Sequence, residues 1–130
     1  MARILLDTAV LLWMLSDPER LPGSLRSQLE LRSNALVVSD AALWEVAIKR
    51  RKGVVKVPDD LPRQLDRLGL DLLPIGRDDV WEAERLPPLH EDPIDRLMIA
   101  QALRGNMTFA THDRAIWRYG PACRLNVWRA

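Results

Sequence analysis

Short apolar runs alternate along the chain with stretches in which apolar residues recur at helical spacing. Ile4-Leu5-Leu6 is such a run, and after Asp7-Thr8 come Val10, Leu11, Met14 and Leu15 in helical register with Trp13 beside them. This pattern predicts strand, turn, helix. Ala35 to Val38 is a second apolar run, closed by two β-branched valines, and Ser39-Asp40 offers capping side chains to a helix over Ala41 to Lys52 that Gly53 stops. A helix from about Leu61 to Leu68, ended by Gly69, precedes a third strand over Asp71 to Ile75. Asp79 to Leu86 reads as helix until Pro87-Pro88 breaks it. Asp92-Pro93 then pairs a capping acid with a proline suited to the first helical position, so the next helix runs from Pro93 to Leu103 and ends at Gly105-Asn106. A fourth strand, Met107 to Ala110, leads into Thr111-His112-Asp113 and a short helix through Trp117, and Arg124 to Val127 supplies a fifth strand. Strands alternating with helices predict an α/β fold: a parallel sheet covered on both faces.

The 130 residues, 48% hydrophobic and 28% charged, suffice for one domain with one core over residues 1–130. Nineteen basic against eighteen acidic residues leave a net charge of +1, so only the placement of charge can argue for a polyanionic partner. Cys123 is the single cysteine, which rules out an internal disulfide and fits a reducing, cytoplasmic setting. Met1 to Leu15 superficially resembles a signal peptide, but Asp7 interrupts its apolar stretch and no small-residue cleavage site follows. No run approaches the ~18 apolar residues a membrane helix needs. The expectation is a soluble protein, with no membrane partner, whose N-terminus is part of the fold.

In an open parallel sheet, ligands bind beyond the carboxyl ends of the strands. Asp7 and Asp113 both follow predicted strands there, although each also suits a helix start. Glu45 interrupts the apolar stretch from Ala41 to Ile48, so it needs a partner, a metal or a wet cleft, with Lys49 one turn away as the simplest partner. Asp95 lies three residues after Asp92, the better structural cap. At ~5 Å and an effective dielectric of ~20, each like-charged carboxylate pair costs about 3 kcal/mol. If the acids converge, protons or a cation must accompany them, and an all-oxygen donor set suits Mg²⁺ or Mn²⁺. Zinc is disfavoured because His90 and His112 lack helical metal-ligand spacing and Cys123 stands alone.

The ordered set Leu5-Leu6-Asp7-Thr8, Leu43-Trp44-Glu45-Val46-Ala47-Ile48-Lys49, His90 through Ala102 and Thr111-His112-Asp113-Arg114 resembles the PIN-domain nucleases, and more narrowly the VapC-type toxins of prokaryotic toxin–antitoxin pairs. The resemblance implies a three-layer α/β/α domain with a five-stranded parallel sheet. It maps Asp7, Glu45, Asp95 and Asp113 onto the acidic quartet that holds Mg²⁺ or Mn²⁺, with Thr8, Thr111 and Asp92 supporting them. The implied activity is metal-dependent hydrolysis of RNA phosphodiesters. The implied partners are RNA, a VapB-like antitoxin whose C-terminal segment covers the groove and site, and a second copy in a homodimer. Ala9 departs from the histidine that close relatives often carry after Asp-Thr.

Lys49-Arg50-Arg51-Lys52, Arg96 and Arg114 adjoin the quartet and are candidate RNA contacts, although a basic run also suits a helix C-terminus. Of the five tryptophans, most read as core or interface, with Trp13 and Trp44 candidates for a partner surface. A haloacid-dehalogenase-type phosphohydrolase needs an aspartate where Ala9 stands, and a receiver domain needs a phosphoacceptor that Ile75-Gly76-Arg77-Asp78 does not provide. A degenerate PIN module that only binds RNA or protein would have lost quartet acids. All four are present.

Overall fold

The computed structural model describes residues 2–130. Its five strands are β1 Arg3–Leu6, β2 Ala35–Ser39, β3 Asp71–Leu73, β4 Thr108–Thr111 and β5 Asn126–Arg129. They form one wholly parallel sheet in the order β3-β2-β1-β4-β5. The central strand, β1, is the first apolar run: Ile4, Leu5 and Leu6 are all buried, as a strand covered on both faces requires. The N-terminal apolar run therefore lies at the centre of the fold.

The chain builds outward from β1 through β2 to β3, then returns to the other side of β1 for β4 and β5. Right-handed crossovers in these two directions place their helices on opposite faces of the sheet. The reversal falls between β1 and β4, whose register pairs Leu6 with Ala110, and the Asp7 amide extends that ladder by donating to the Ala110 carbonyl at 3.0 Å. The crevice beyond the carboxyl ends of these two strands is the topological switch point, where open α/β sheets bind ligands.

Helices α1 Thr8–Ser16, α2 Gly23–Glu30, α3 Asp40–Arg51, α4 Leu61–Arg67, α5 Arg77–Arg85, α6 Pro93–Arg104, α7 Arg114–Trp117 and α8 Tyr119–Cys123 connect the strands. Caps set several of their starts. The Ser39 hydroxyl accepts from the Ala41 amide, and Asp92 accepts from Ile94 and Asp95. Gly53, at φ 76°, and Gly69, at φ 82°, take the left-handed conformation that ends a helix. α6 is the most enclosed helix, with Met98 to Ala102 all buried and contacts to α5, α3 and β4.

Some boundaries differ from the sequence pattern. β3 stops at Leu73 because Pro74 has no amide to continue the ladder. The last strand is Asn126–Arg129, not Arg124 to Val127: Arg124 caps α8 in the left-handed conformation at φ 60°. The pattern of apolar positions singled out neither α2 nor α8. α2 buries only Leu25, and α8 is a single turn around Tyr119.

Candidate active site

Four elements each deliver one carboxylate to the switch point. Asp7 follows β1, Glu45 projects from α3, Asp95 lies in the first turn of α6 and Asp113 follows β4. All four line one cleft of about 410 Å³, with Lys49 and Arg114 also on its wall. Residues 106 positions apart in sequence thus share one solvent pocket because β1 and β4 are neighbours in the sheet.

Two threonine hydroxyls orient the acids. Thr111, fully buried, donates to Asp7 Oδ2 at 2.6 Å and accepts from the Asp113 amide at 3.0 Å. Thr8 donates through Oγ1 to Glu45 Oε1 at 2.8 Å, while its amide donates to Asp7 Oδ1 at the same distance. Glu45 also pairs through Oε2 with Lys49 Nζ at 3.2 Å. Asp113 caps α7 through Oδ1, accepting from Ala115 at 2.9 Å, which leaves Oδ2 turned toward Asp95 and His90.

The electrostatics match this crowding. Burial pushes the Asp7 carboxyl above its usual range, and the charge of Glu45 adds to the shift against the hydrogen bonds from Thr111 and Thr8 and the nearby His112. Burial also pushes Asp95 up, to about 7, with Asp7, Asp92 and Glu45 raising it further and His90 opposing them. The cleft holds more negative charge than its own cations offset. Its donors are carboxylate oxygens, the chemistry of a hard divalent ion, so Asp7, Glu45, Asp95 and Asp113 fit a divalent-metal centre.

The structure corrects part of the basic set. Arg96 is not a phosphate contact. Its guanidinium is buried and donates to the carbonyls of Ala83, Leu86, Pro87 and His90 and to the Tyr119 hydroxyl. Arg50 turns away from the cleft to pair with Asp59 and to donate to the Val57 carbonyl. Lys49 and Arg114 remain at the cleft, and Arg51 and Lys52 are exposed at the end of α3. Asp92 serves as the α6 cap and touches the site through its charge on Asp95 and its amide beside His90 Nδ1.

His90 is the site residue that helical spacing missed. Its Nε2 lies 2.8 Å from Asp95 Oδ2 and 3.1 Å from Asp113 Oδ2. The available signal was its position in the loop leading into the Asp92-Pro93 helix start, five residues before Asp95. Among the tryptophans, Trp44 is 59% exposed and Trp81 is 71% exposed, so Trp81 is not a core residue, whereas Trp13 and Trp117 are partly covered by Arg20 and Arg129.

A parallel sheet between helices, with carboxylates gathered at its switch point, defines an α/β protein with an acidic centre. The chain belongs to the PIN domain family, whose model matches residues 4–120. PIN domains are typically nucleases and generally use a divalent metal. The fold is similar to that of a chain in VapBC2 from Rickettsia felis, solved with a DNA fragment from the promoter (TM-score 0.72, 18% identity, 98% of each chain covered). It is also similar to a chain of a toxin–antitoxin complex from Klebsiella pneumoniae (TM-score 0.62, 15% identity, 98% of this chain and 99% of that one). A third similar structure is FitAcB from Neisseria gonorrhoeae (TM-score 0.62, 18% identity, 97% and 96% covered). No curated protein matches the sequence at a significant level.

Proposed function

We propose that this chain is a divalent-metal-dependent endoribonuclease and the toxin of a toxin–antitoxin pair. The observation that carries the reading is the convergence of Asp7, Glu45, Asp95 and Asp113 on one cleft at the switch point. Asp7, Asp95 and Asp113 would hold the cation, and Glu45 would either join them or orient the attacking water. When bound, a divalent cation offsets charge on the phosphoryl oxygens and makes water a better nucleophile near neutral pH. Thr111 and Thr8 keep Asp7 and Glu45 aimed into the cleft. Lys49 and Arg114, on the cleft wall, contact the phosphates on either side of the scissile bond, and Arg51 and Lys52 extend the basic track. RNA as substrate is supported by membership of the family. The structural relatives in toxin–antitoxin complexes support a protein antitoxin as partner, and the family resemblance supports its seating over this cleft and the pairing of two copies.

The test is cleavage of RNA, with DNA in parallel, by the wild type and Asp7→Asn in Mg²⁺, Mn²⁺ or chelator. Wild-type cleavage of RNA that needs a divalent ion and falls at least ~100-fold in Asp7→Asn is expected. Equal activity in the two proteins, or indifference to chelation, would sink the mechanism. Binding of RNA with no cleavage in any metal would favour the degenerate module instead. Co-expression with the product of the adjacent gene should yield a stable complex with suppressed cleavage.

A further inference from the structure

The loop between α5 and α6 is anchored from inside the protein to an unusual degree. Among the described residues Arg96 has no carboxylate partner, yet it is buried and donates to the carbonyls of Ala83, Leu86, Pro87 and His90. Tyr119, fully buried, donates to the Pro87 carbonyl at 2.6 Å and accepts from the Leu89 and His90 amides at 3.2 and 3.1 Å. Both backbone groups of His90 are therefore fixed, and only its side-chain torsions remain to place the ring. Those torsions aim Nε2 between Asp95 and Asp113, at 2.8 and 3.1 Å from their Oδ2 atoms. One ligand atom from each of the three residues lies within 4.8 Å of the others.

Such distances fit a hydrogen-bonded proton, and they also fit a coordination shell. Donors at ~2.1 Å from an octahedral ion stand about 3.0 Å apart when adjacent. The same three atoms, each within 4.8 Å of the others, can share either a proton or a cation. The Asp92 amide donates to Nδ1 at 3.5 Å, at the long limit of a hydrogen bond, so exchanging the tautomer gives up one marginal contact. Nε2 can therefore present its lone pair while Nδ1 carries the proton.

We propose that His90 is a nitrogen ligand of the metal centre, so that this chain has a mixed nitrogen–oxygen site favouring first-row transition ions over Mg²⁺. The proposal rests on the metal centre described above. Imidazole binds Mn²⁺, and more strongly Co²⁺, better than it binds Mg²⁺, which keeps to oxygen donors. Arg96 and Tyr119 are then positioning residues that hold the ligand-bearing loop.

Pulsed electron paramagnetic resonance of the Mn²⁺-loaded protein tests this directly. The chain contains two histidines, so the source of any imidazole coupling can be resolved completely. A ¹⁴N coupling that converts to a ¹⁵N pattern on ¹⁵N-histidine labelling, disappears in His90→Gln and persists in His112→Gln is the expected result. The labelling arm uses the wild type and does not depend on the folding of a variant. By calorimetry, the Mn²⁺ Kd of His90→Gln should rise about 10-fold or more, and its preference for Co²⁺ over Mg²⁺ should shrink. Mn²⁺ bound without histidine coupling, or with coupling that follows His112, overturns the assignment while leaving the metal centre intact. Mn²⁺ binding that is absent from the wild type, or untouched by Asp95→Asn, overturns the metal centre and His90 with it.

Discussion

Thr111 is the side chain on which two of the acids depend. Its hydroxyl is the only side-chain donor to Asp7 among the described residues and the acceptor for the amide of Asp113. Thr111→Val keeps the shape and removes both bonds. It should destabilise the chelated protein by ~1–3 kcal/mol, because buried polar partners lose their hydrogen bonds, and Thr111→Ser should recover most of the loss. Denaturant melts in chelator check this, and a Thr111→Val midpoint equal to the wild type would refute the orienting role. Asp7 and Asp113 were legible because they sat at strand ends and Glu45 because it broke an apolar run, whereas Asp95 stood at a helix start beside a better cap. Arg96 was misread at this scale. A cation beside an acid in sequence looks like a phosphate ligand, but its position on the buried face of α6 sends the guanidinium inward to backbone carbonyls.

At the scale of elements, the loop from Pro87 to Glu91 is held by side chains from α6 and α8 that lie beyond it in sequence. Tyr119→Phe removes the acceptor shared by the Leu89 and His90 amides and the donor to Pro87. Amide exchange at Leu89 and His90 should accelerate about 10-fold or more, while exchange in β1 and β4 stays unchanged. Equal protection of the loop in both proteins would show that Arg96 suffices alone. The regular elements were legible where local signals agreed. α3 has a serine cap and a terminal glycine, and α6 has Asp92-Pro93 and Gly105. α2 and α8 were not, because each buries a single residue and owes its helicity to packing.

For the molecule as a whole, the acidic cleft links folding to pH. Asp95 holds its proton to about 7 in the folded protein, against an ordinary 3.8, and Asp7 shifts in the same direction. A raised carboxyl contributes stability that is full below its unfolded value and is lost as pH rises through its folded value. The Tm of chelated protein should therefore fall between pH 5 and pH 8. Asp95→Asn should flatten that fall, and Mn²⁺ should raise the Tm most at pH 8, where the carboxyls are ionised. Thermal melts across this range, with and without the ion, give the answer, and a flat chelated profile would contradict the shifts. No helix among the described residues is long and apolar enough to cross a membrane.

The sequence by itself determined the alternation of strands and helices and the acids at the strand ends. These follow from local periodicity, capping and the cost of placing charge in apolar surroundings. Only the tertiary structure decided that β4 returns beside β1, which brings Asp113 to Asp7. It alone decided that Arg96 and Arg50 turn away from the cleft and that His90 meets Asp95 and Asp113. Those outcomes depend on which distant elements pack together and on which backbone groups are left needing partners, and neither is encoded in any short stretch of the chain.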